Sequence, residues 1–231
     1  MKQVIVFFFF LISICHADAQ GEVYDLKDFN KLSVSTNIEM ELIKASETKM
    51  EIEITRGDRS ELRIEEENNR LRVYIKGENT WGSSKTKANI KLYFKELNDL
   101  SVSASARVFS DDIIKSDDFE ADVSSSGRLS FSLDANSLDS NVSSSGSLKI
   151  KGNCKEIDVS VSSSGSFEGK DLMCETADAD ASSSGSIKLW VTKHIEASTS
   201  SSGSISYKGN PSTKDIDKSR SGGSIRSIDN N

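Results

Sequence analysis

Some familiar starting points for function are scarce or missing in this chain. There is no basic surplus: 231 residues carry a formal net charge of −7. Sequence-independent nucleic-acid binding needs a basic surface, so that class is set aside. Histidine is nearly absent, with His194 the only one beyond the first twenty residues. A lone imidazole beside Ile195 reads as a coil-edge or solvent residue, not a catalyst. Three cysteines occur without a Cys-x-x-Cys pair, which argues against redox catalysis. There is no Gly-x-Ser-x-Gly elbow, no zinc-ligand spacing and no phosphate-binding glycine loop before a helix. Only one proline occurs, and aromatics make up just 7% of the residues.

Long hydrophobic runs are equally rare. The one run, residues 4–14, is too short to cross a membrane as a helix. Lys2 precedes it and Ala17-Asp18-Ala19 follows, which is the pattern of a secretory signal with cleavage before Gln20. A rival reading makes Cys15 a lipid-modified terminus, but Ile12-Ser13-Ile14 is a poor lead-in for that processing. The chain is therefore expected to be exported to the periplasm, the outer-membrane surface or the exterior. No integral membrane segment is expected after cleavage.

What the chain has in abundance is serine and glycine, in fixed order. Ser-Ser-Ser-Gly occurs at residues 124–127, 143–146, 162–165, 182–185 and 200–203. The closing glycines are 19, 19, 20 and 18 residues apart. Degenerate copies flank the series at Ser103-Ala104-Ser105-Ala106 and Arg220-Ser221-Gly222-Gly223. A flexible linker would carry no apolar residues in register, yet this repeat does. Two residues past the glycines stand Leu129, Leu148, Phe167, Ile187, Ile205 and Ile225. Four before them stand Val123, Val142, Val161, Ala181 and Thr199, and eight before them Phe119, Leu138, Ile157, Ala177 and Ile195. Polar residues alternate with these, the period of a strand with one buried face.

A unit of about 19 residues cannot bury its own apolar face, but stacked copies bury one another's. The expected fold is therefore all-β, a parallel β-helix of roughly 19-residue coils rising about 4.8 Å each. Glycine is expected at the corner for its tolerance of positive φ, and the serine hydroxyls are expected to form ladders up the stack. The cysteines test this register. Cys154 and Cys174 each lie eleven residues before a repeat glycine, so they share one slot in adjacent coils. Stacked slots fall within disulfide reach, and export brings an oxidising compartment, so a Cys154–Cys174 bridge is predicted.

Residues 20–105 lack the serine punctuation but alternate well. Strands are expected at 30–36, 38–44, 49–55, 61–66, 70–76, 88–95 and 98–105. The resulting division is a signal peptide at 1–19, an N-terminal β region at 20–105 capping the stack, coils at 106–210, and a degenerate last coil and tail at 211–231. Trp81, at the tip of a polar loop, is a candidate binding residue; folding back on its own hairpin is the plainer alternative.

Several stretches resemble a known family. Phe29-Asn30-Lys31-Leu32-Ser33-Val34-Ser35 with Ile38-Glu39-Met40-Glu41-Leu42 is similar to its opening strand pair. Leu71-Arg72-Val73-Tyr74-Ile75 and Ile90-Lys91-Leu92-Tyr93-Phe94 resemble its middle strands. Leu97-Asn98-Asp99-Leu100-Ser101-Val102-Ser103 and the serine–glycine series resemble its repeats. The family is the "putative auto-transporter adhesin, head GIN domain", and the resemblance spans about residues 29–210. It implies a right-handed β-helix preceded by a packed β-strand region, on an exported protein with no catalytic residues to carry over. Nothing in the chain resembles an auto-transporter membrane barrel.

The outward positions carry charge of two signs. Glu120, Asp139, Asp158, Asp178 and Glu196 recur seven residues before the glycines, with Asp122 and Asp180 two positions on. Stacked carboxylates repel one another, and calcium would relieve them, so Asp139, Asp158, Asp178 and Asp180 are candidate Ca²⁺ ligands. A solvated acidic face is the plainer reading, and no cofactor is otherwise expected. Beyond the glycines stand Lys149, Lys151, Lys170, Lys188, Lys208 and Arg226, with Glu168 interrupting. Lys149, Lys151, Lys170 and Lys188 are candidate binding residues for a glycan or a surface protein. The sequence-based expectation is a non-catalytic adhesin-like scaffold. The alternatives are a calcium-dependent polysaccharide-acting β-helix enzyme and a structural periplasmic homo-oligomer.

Overall fold

The structure is a computed structural model that describes residues 22–77, 85–218 and 222–229. Among the described residues sixteen strands join in one continuous sheet that winds into a β-solenoid of about six turns. The first eight are β1 (Glu22–Asp25), β2 (Lys31–Ser35), β3 (Ile38–Lys44), β4 (Lys49–Arg56), β5 (Leu62–Glu67), β6 (Arg70–Ile75), β7 (Lys87–Phe94) and β8 (Asp99–Ser103). The coils follow as β9 (Arg107–Val123), β10 (Arg128–Val142), β11 (Ser147–Val161), β12 (Ser166–Ala181) and β13 (Ser186–Thr199). The last turn is split into β14 (Ser204–Lys208), β15 (Thr213–Lys218) and β16 (Ser224–Ser227).

Each long strand bends midway, so a coil has two walls, a tight serine corner and a rounded corner. In-register parallel pairing lays like residues over like. Leu129 sits opposite Leu148, Leu148 opposite Phe167, Phe167 opposite Ile187, and Ile187 opposite Ile205. Met40, paired with both Val108 and Ile90, carries this column into the N-terminal strands. On the other wall Val34, Val102, Val123, Val142 and Val161 stack in the same way. All of these side chains are buried. An inward column at Ala121, Ser140, Val159, Ala179 and Ala197 holds mostly small residues, and the Ser140 hydroxyl donates to the Ala121 carbonyl at 2.9 Å.

The N-terminal strands belong to the same stack, in an order the chain does not follow. β2 lies parallel between β6 and β8, and β3 lies parallel between β7 and β9. The turn formed by β6 and β7 is therefore outermost, although β2 and β3 precede it in sequence. Antiparallel β5 then covers β6, and β4 covers β7, with β1 on β4. These strands bring Met50, Ile52 and Leu62 into the core and cover sheet edges that would otherwise be open to pairing.

The serine corner differs from expectation in its physical cause. At Ser124–Gly127 the two central residues, Ser125 and Ser126, have φ of 50° and 64°, and Gly127 N–H donates to Ser124 carbonyl at 2.8 Å. Positive φ at both central residues with this bond is the type I′ pattern. The same pair of left-handed residues recurs at 144–145, 163–164, 183–184 and 201–202. The glycines at 127, 146, 165, 185 and 203 do not have positive φ. Glycine is required there by close approach: a Cβ on Gly127, Gly146 or Gly165 would lie 2.6–2.7 Å from the carbonyl oxygen of the preceding coil. Main-chain bonds tie the corners together, as when Ser126 N–H donates to Ser144 carbonyl and Ser145 N–H to Ser163 carbonyl, both at 3.0 Å. The expected hydroxyl ladder is therefore largely replaced by a backbone ladder, with Ser224 Oγ donating to Ser204 Oγ at 3.3 Å near the last turn.

The rounded corner absorbs the variation in coil length. Register shifts fall on the approach to it, at Ser130/Ser132 and Lys149/Lys151, and across it, at Gly169/Met173 and Cys174/Thr176. Cys154 and Cys174 are register partners at this corner and form a disulfide across a Cα–Cα distance of 4.6 Å.

Candidate functional site

Period-two alternation turns every second side chain of the walls outward, and parallel stacking aligns them into columns. On the wall before the serine corner one column is a run of carboxylates: Asp99, Glu120, Asp139, Asp158, Asp178, Glu196 and Asp215, each paired with the next. The run is neutralised at its start. Asp99 is buried, Arg70 donates to its carboxylate at 2.6 Å, and Lys31 lies 3.7 Å away. Beyond that pair the carboxylates face one another with only partial relief, from Lys31 near Glu120 and from the Asn141 amide, which donates to Asp139 at 3.5 Å. Burial first, then Asp178, Asp139 and Asp180, pushes the Asp158 carboxyl above its ordinary value. Burial first, then Asp99, Asp122 and Asp139, does the same to Glu120.

The parallel column dilutes this charge with Asp122, Asn141, Ser160, Asp180, Ser198 and Asp217. Ser198 Oγ donates to the Asp180 carboxylate. His194 stands at the edge of this wall, its Nδ1 2.7 Å from Thr213 Oγ1. The candidate calcium ligands Asp139, Asp158 and Asp178 therefore share one column, with Asp180 in the next. Among the described residues no three acids, histidines or cysteines converge on a metal-holding arrangement. Side chains that stand parallel on a flat wall do not readily close the cage of six to eight oxygens that calcium takes.

The opposite wall is mixed in sign. One outward column reads Glu41, Phe109, Ser130, Lys149, Glu168, Lys188, Ser206 and Arg226. Lys188 is bound to Glu168 at 2.8 Å. Lys151 is register partner to Asp171, and Lys170, exposed, falls in the length irregularity beside it. Lys208 lies over the Trp190 ring at 4.2 Å. The structure thus brings Lys149 and Lys151 near one another, places Lys170 at the bend, and engages Lys188 in an ion pair. Trp81 lies outside the described residues.

The inventory of lysines missed three neighbours of Lys149. Arg107 and Arg128 are partners in the column next to it, where later coils carry Ser147, Ser166 and Ser186, and Phe109 faces outward beside them. The change from serine to arginine at one repeat slot was visible in sequence.

The family described as "putative auto-transporter adhesin, head GIN domain" matches residues 28–211. Similar solved structures include a "putative adhesin" from Bacteroides fragilis, at 22% identity and a TM-score of 0.78, covering 90% of this chain and 95% of that one. A "putative adhesin" from Parabacteroides merdae has 18% identity and a TM-score of 0.68, over 90% and 95% of the two chains. A "putative lipid binding protein" from Parabacteroides distasonis has 21% identity and a TM-score of 0.65, over 92% and 98%. No curated protein sequence matches the chain. Among the described residues no helix is long and apolar enough to cross a membrane.

Proposed function

This chain belongs to the head GIN adhesin family, and we propose that it is a non-catalytic, exported binding scaffold of the cell envelope or surface. The observation that carries this reading is the in-register display of outward side chains on two walls. A ladder of main-chain bonds holds those columns in place, so little ordering entropy is lost when a partner docks. Such walls suit an extended ligand that contacts several coils at once, such as a glycan chain or a surface protein. The test is an array of glycans and matrix proteins probed with the purified folded chain. Reproducible capture of one ligand class supports the scaffold; a silent array on folded protein removes it.

A second reading, a calcium-dependent polysaccharide-acting enzyme, would draw on the carboxylate column, although among the described residues its acids converge on no metal-holding arrangement. Titration with calcium during thermal melting separates the two, because a ligand bound only by the folded state raises its melting temperature. A structural homo-oligomer is the third, and light scattering addresses it directly.

A further inference from the structure

One strip of the mixed wall departs from the repeat in two ways at the same place. Phe109 faces outward and is partly exposed at a slot where the next coils carry Ser130, Lys149, Glu168 and Lys188. Its neighbour Ser110 is buried, donating to the Leu42 carbonyl at 2.9 Å, and opens a register irregularity in which residues 110–112 stand against Phe131 alone. The buried serine has a structural task, because Asp112 N–H donates to it at 3.2 Å and Asp112 in turn accepts from Lys44 N–H at 2.8 Å. The outward phenylalanine leaves part of its ring exposed.

The second departure is the arginine pair. Arg107 and Arg128 are register partners, one rung apart and both exposed. Like charges directly opposite across a strand pair are destabilising. Many cations elsewhere are engaged: Arg59 with Glu22, Arg70 with Asp99, Arg72 with Glu65, Lys95 with Asp28 and Lys188 with Glu168. Among the described residues no ion pair involves Arg107, Arg128, Lys149 or Lys151. Glu39 is the register partner of Arg107, yet no ion pair closes between them. Arg107, Phe109, Arg128 and Lys149 line a groove of about 340 Å³ together with Glu39.

We propose that this strip binds a carboxylate-bearing polysaccharide, a polyuronate in chemical class. The inference rests on the scaffold reading and names its ligand. An aromatic ring offers a face for the C–H face of a sugar ring. Two guanidinium forks one rung apart hold carboxylates bidentately. Glu39 and Glu41 on the other side of Phe109 accept sugar hydroxyls. They also repel a dense polyanion, so the strip discriminates against nucleic acid and heavily sulfated chains.

The experiment compares binding of polygalacturonate, heparin and neutral dextran to the purified chain by calorimetry. Polygalacturonate is expected to bind, more weakly as salt rises, with heparin and dextran weaker. Arg107→Ser with Arg128→Ser installs the residue later coils carry, and Phe109→Ser installs that of the next coil. Each is expected to weaken polygalacturonate by about tenfold or more with the melting temperature little changed. Arg107→Lys with Arg128→Lys keeps the charge and loses the fork, so an intermediate loss is expected. Lys115→Ser, at the rounded corner, is expected to change nothing. Tighter binding of heparin, equal loss in the Lys115 variant, or no polygalacturonate binding by the folded chain overturns the proposal. Array capture of another ligand, unaffected by these variants, overturns it while leaving the scaffold reading intact. A silent array removes the scaffold reading itself.

Discussion

The two corners of a coil turn the same chain by different means. The serine corner repeats Ser-Ser-Ser-Gly five times, and every shift of register lies away from it. The rounded corner holds Asp134-Ala135-Asn136 in one coil, Gly152-Asn153-Cys154 in the next and Met173-Cys174-Glu175 in the third. It takes up the one-residue gain and loss that make the coils 19, 20 and 18 residues long. At the serine corner the main chains of neighbouring coils touch, which leaves no room for a side chain or an extra residue. At the rounded corner the main chains also lie close, with Gly152 against the Leu133 carbonyl and the Cys154 and Cys174 Cα atoms 4.6 Å apart, but no tight turn repeats there, so composition varies from coil to coil and a disulfide joins two of them.

That contrast can be broken most severely at Gly165. A Cβ there meets the Val142 carbonyl at 2.7 Å in mid-stack. Gly165→Ala is expected to destabilise by about 3 kcal/mol or more, read as a melting temperature lower by roughly 10 °C. An unchanged melt would show that the coils can separate at this corner. The first corner shows when the slot relaxes, since it holds Ala106 above the shorter Thr36-Asn37 bend.

Reducing the Cys154–Cys174 bridge, or Cys174→Ser with Cys154→Ser, comes next. The bridge spans a sequence separation of 20, and closing such a loop is worth about 3 kcal/mol at most. A loss of about 2–3 kcal/mol in denaturant unfolding is expected, with the array binding of the folded protein retained.

A smaller and opposite effect is expected from Ser163→Asn with Ser164→Gly. Both serines sit at positive φ, 50° and 62°, where Asn-Gly is the favoured type I′ pair. A gain of about 1 kcal/mol is expected by the same unfolding measurement, and a loss would mean that serine is held there by something beyond turn geometry.

The smallest effect concerns the wall between the corners. Asp158 and Glu120 have raised values in the folded state, so the folded protein binds more protons than the unfolded chain just above the ordinary carboxylate range. Stability therefore falls as pH rises through that window, and the penalty is complete at neutral pH. Asp158→Asn is expected to raise the melting temperature at pH 7 by about 1–3 °C. The gain should shrink toward pH 4 and at high salt. Below that range Asp28, Asp58 and Asp229 act the other way. Bonds to Lys95, to the Ser60 N–H and to the Gly209 N–H hold them below the usual value, so protonating them removes stability.

Most of the solenoid was legible in sequence because stacking repeats its demands at fixed spacing. The buried columns and the Cys154–Cys174 pairing follow from counting residues back or forward from each glycine. The same count placed the acids from Glu120 to Glu196 on one wall. It did not extend to Asp99 and Asp215, which lie beside degenerate corners, nor find the Arg70–Asp99 pair that neutralises the run at its start. The basic wall was read with Glu168 interrupting it, but Asp171, the register partner of Lys151, was not counted.

The sequence by itself determined the coil, its two-residue alternation and the residues that point inward, since those follow from local periodicity and from the need of each unit to bury one face against the next. The tertiary structure decided three further things. It placed the turn of β6 and β7 outside that of β2 and β3, an order set by edge pairing between distant segments. It gave the left-handed turn conformation to serines and kept the glycines for close approach, because the nearest atom to each glycine belongs to the preceding coil. It brought Phe109, Arg107 and Arg128 together on one exposed strip, because residues 21 positions apart in the chain become neighbours only when the coils stack.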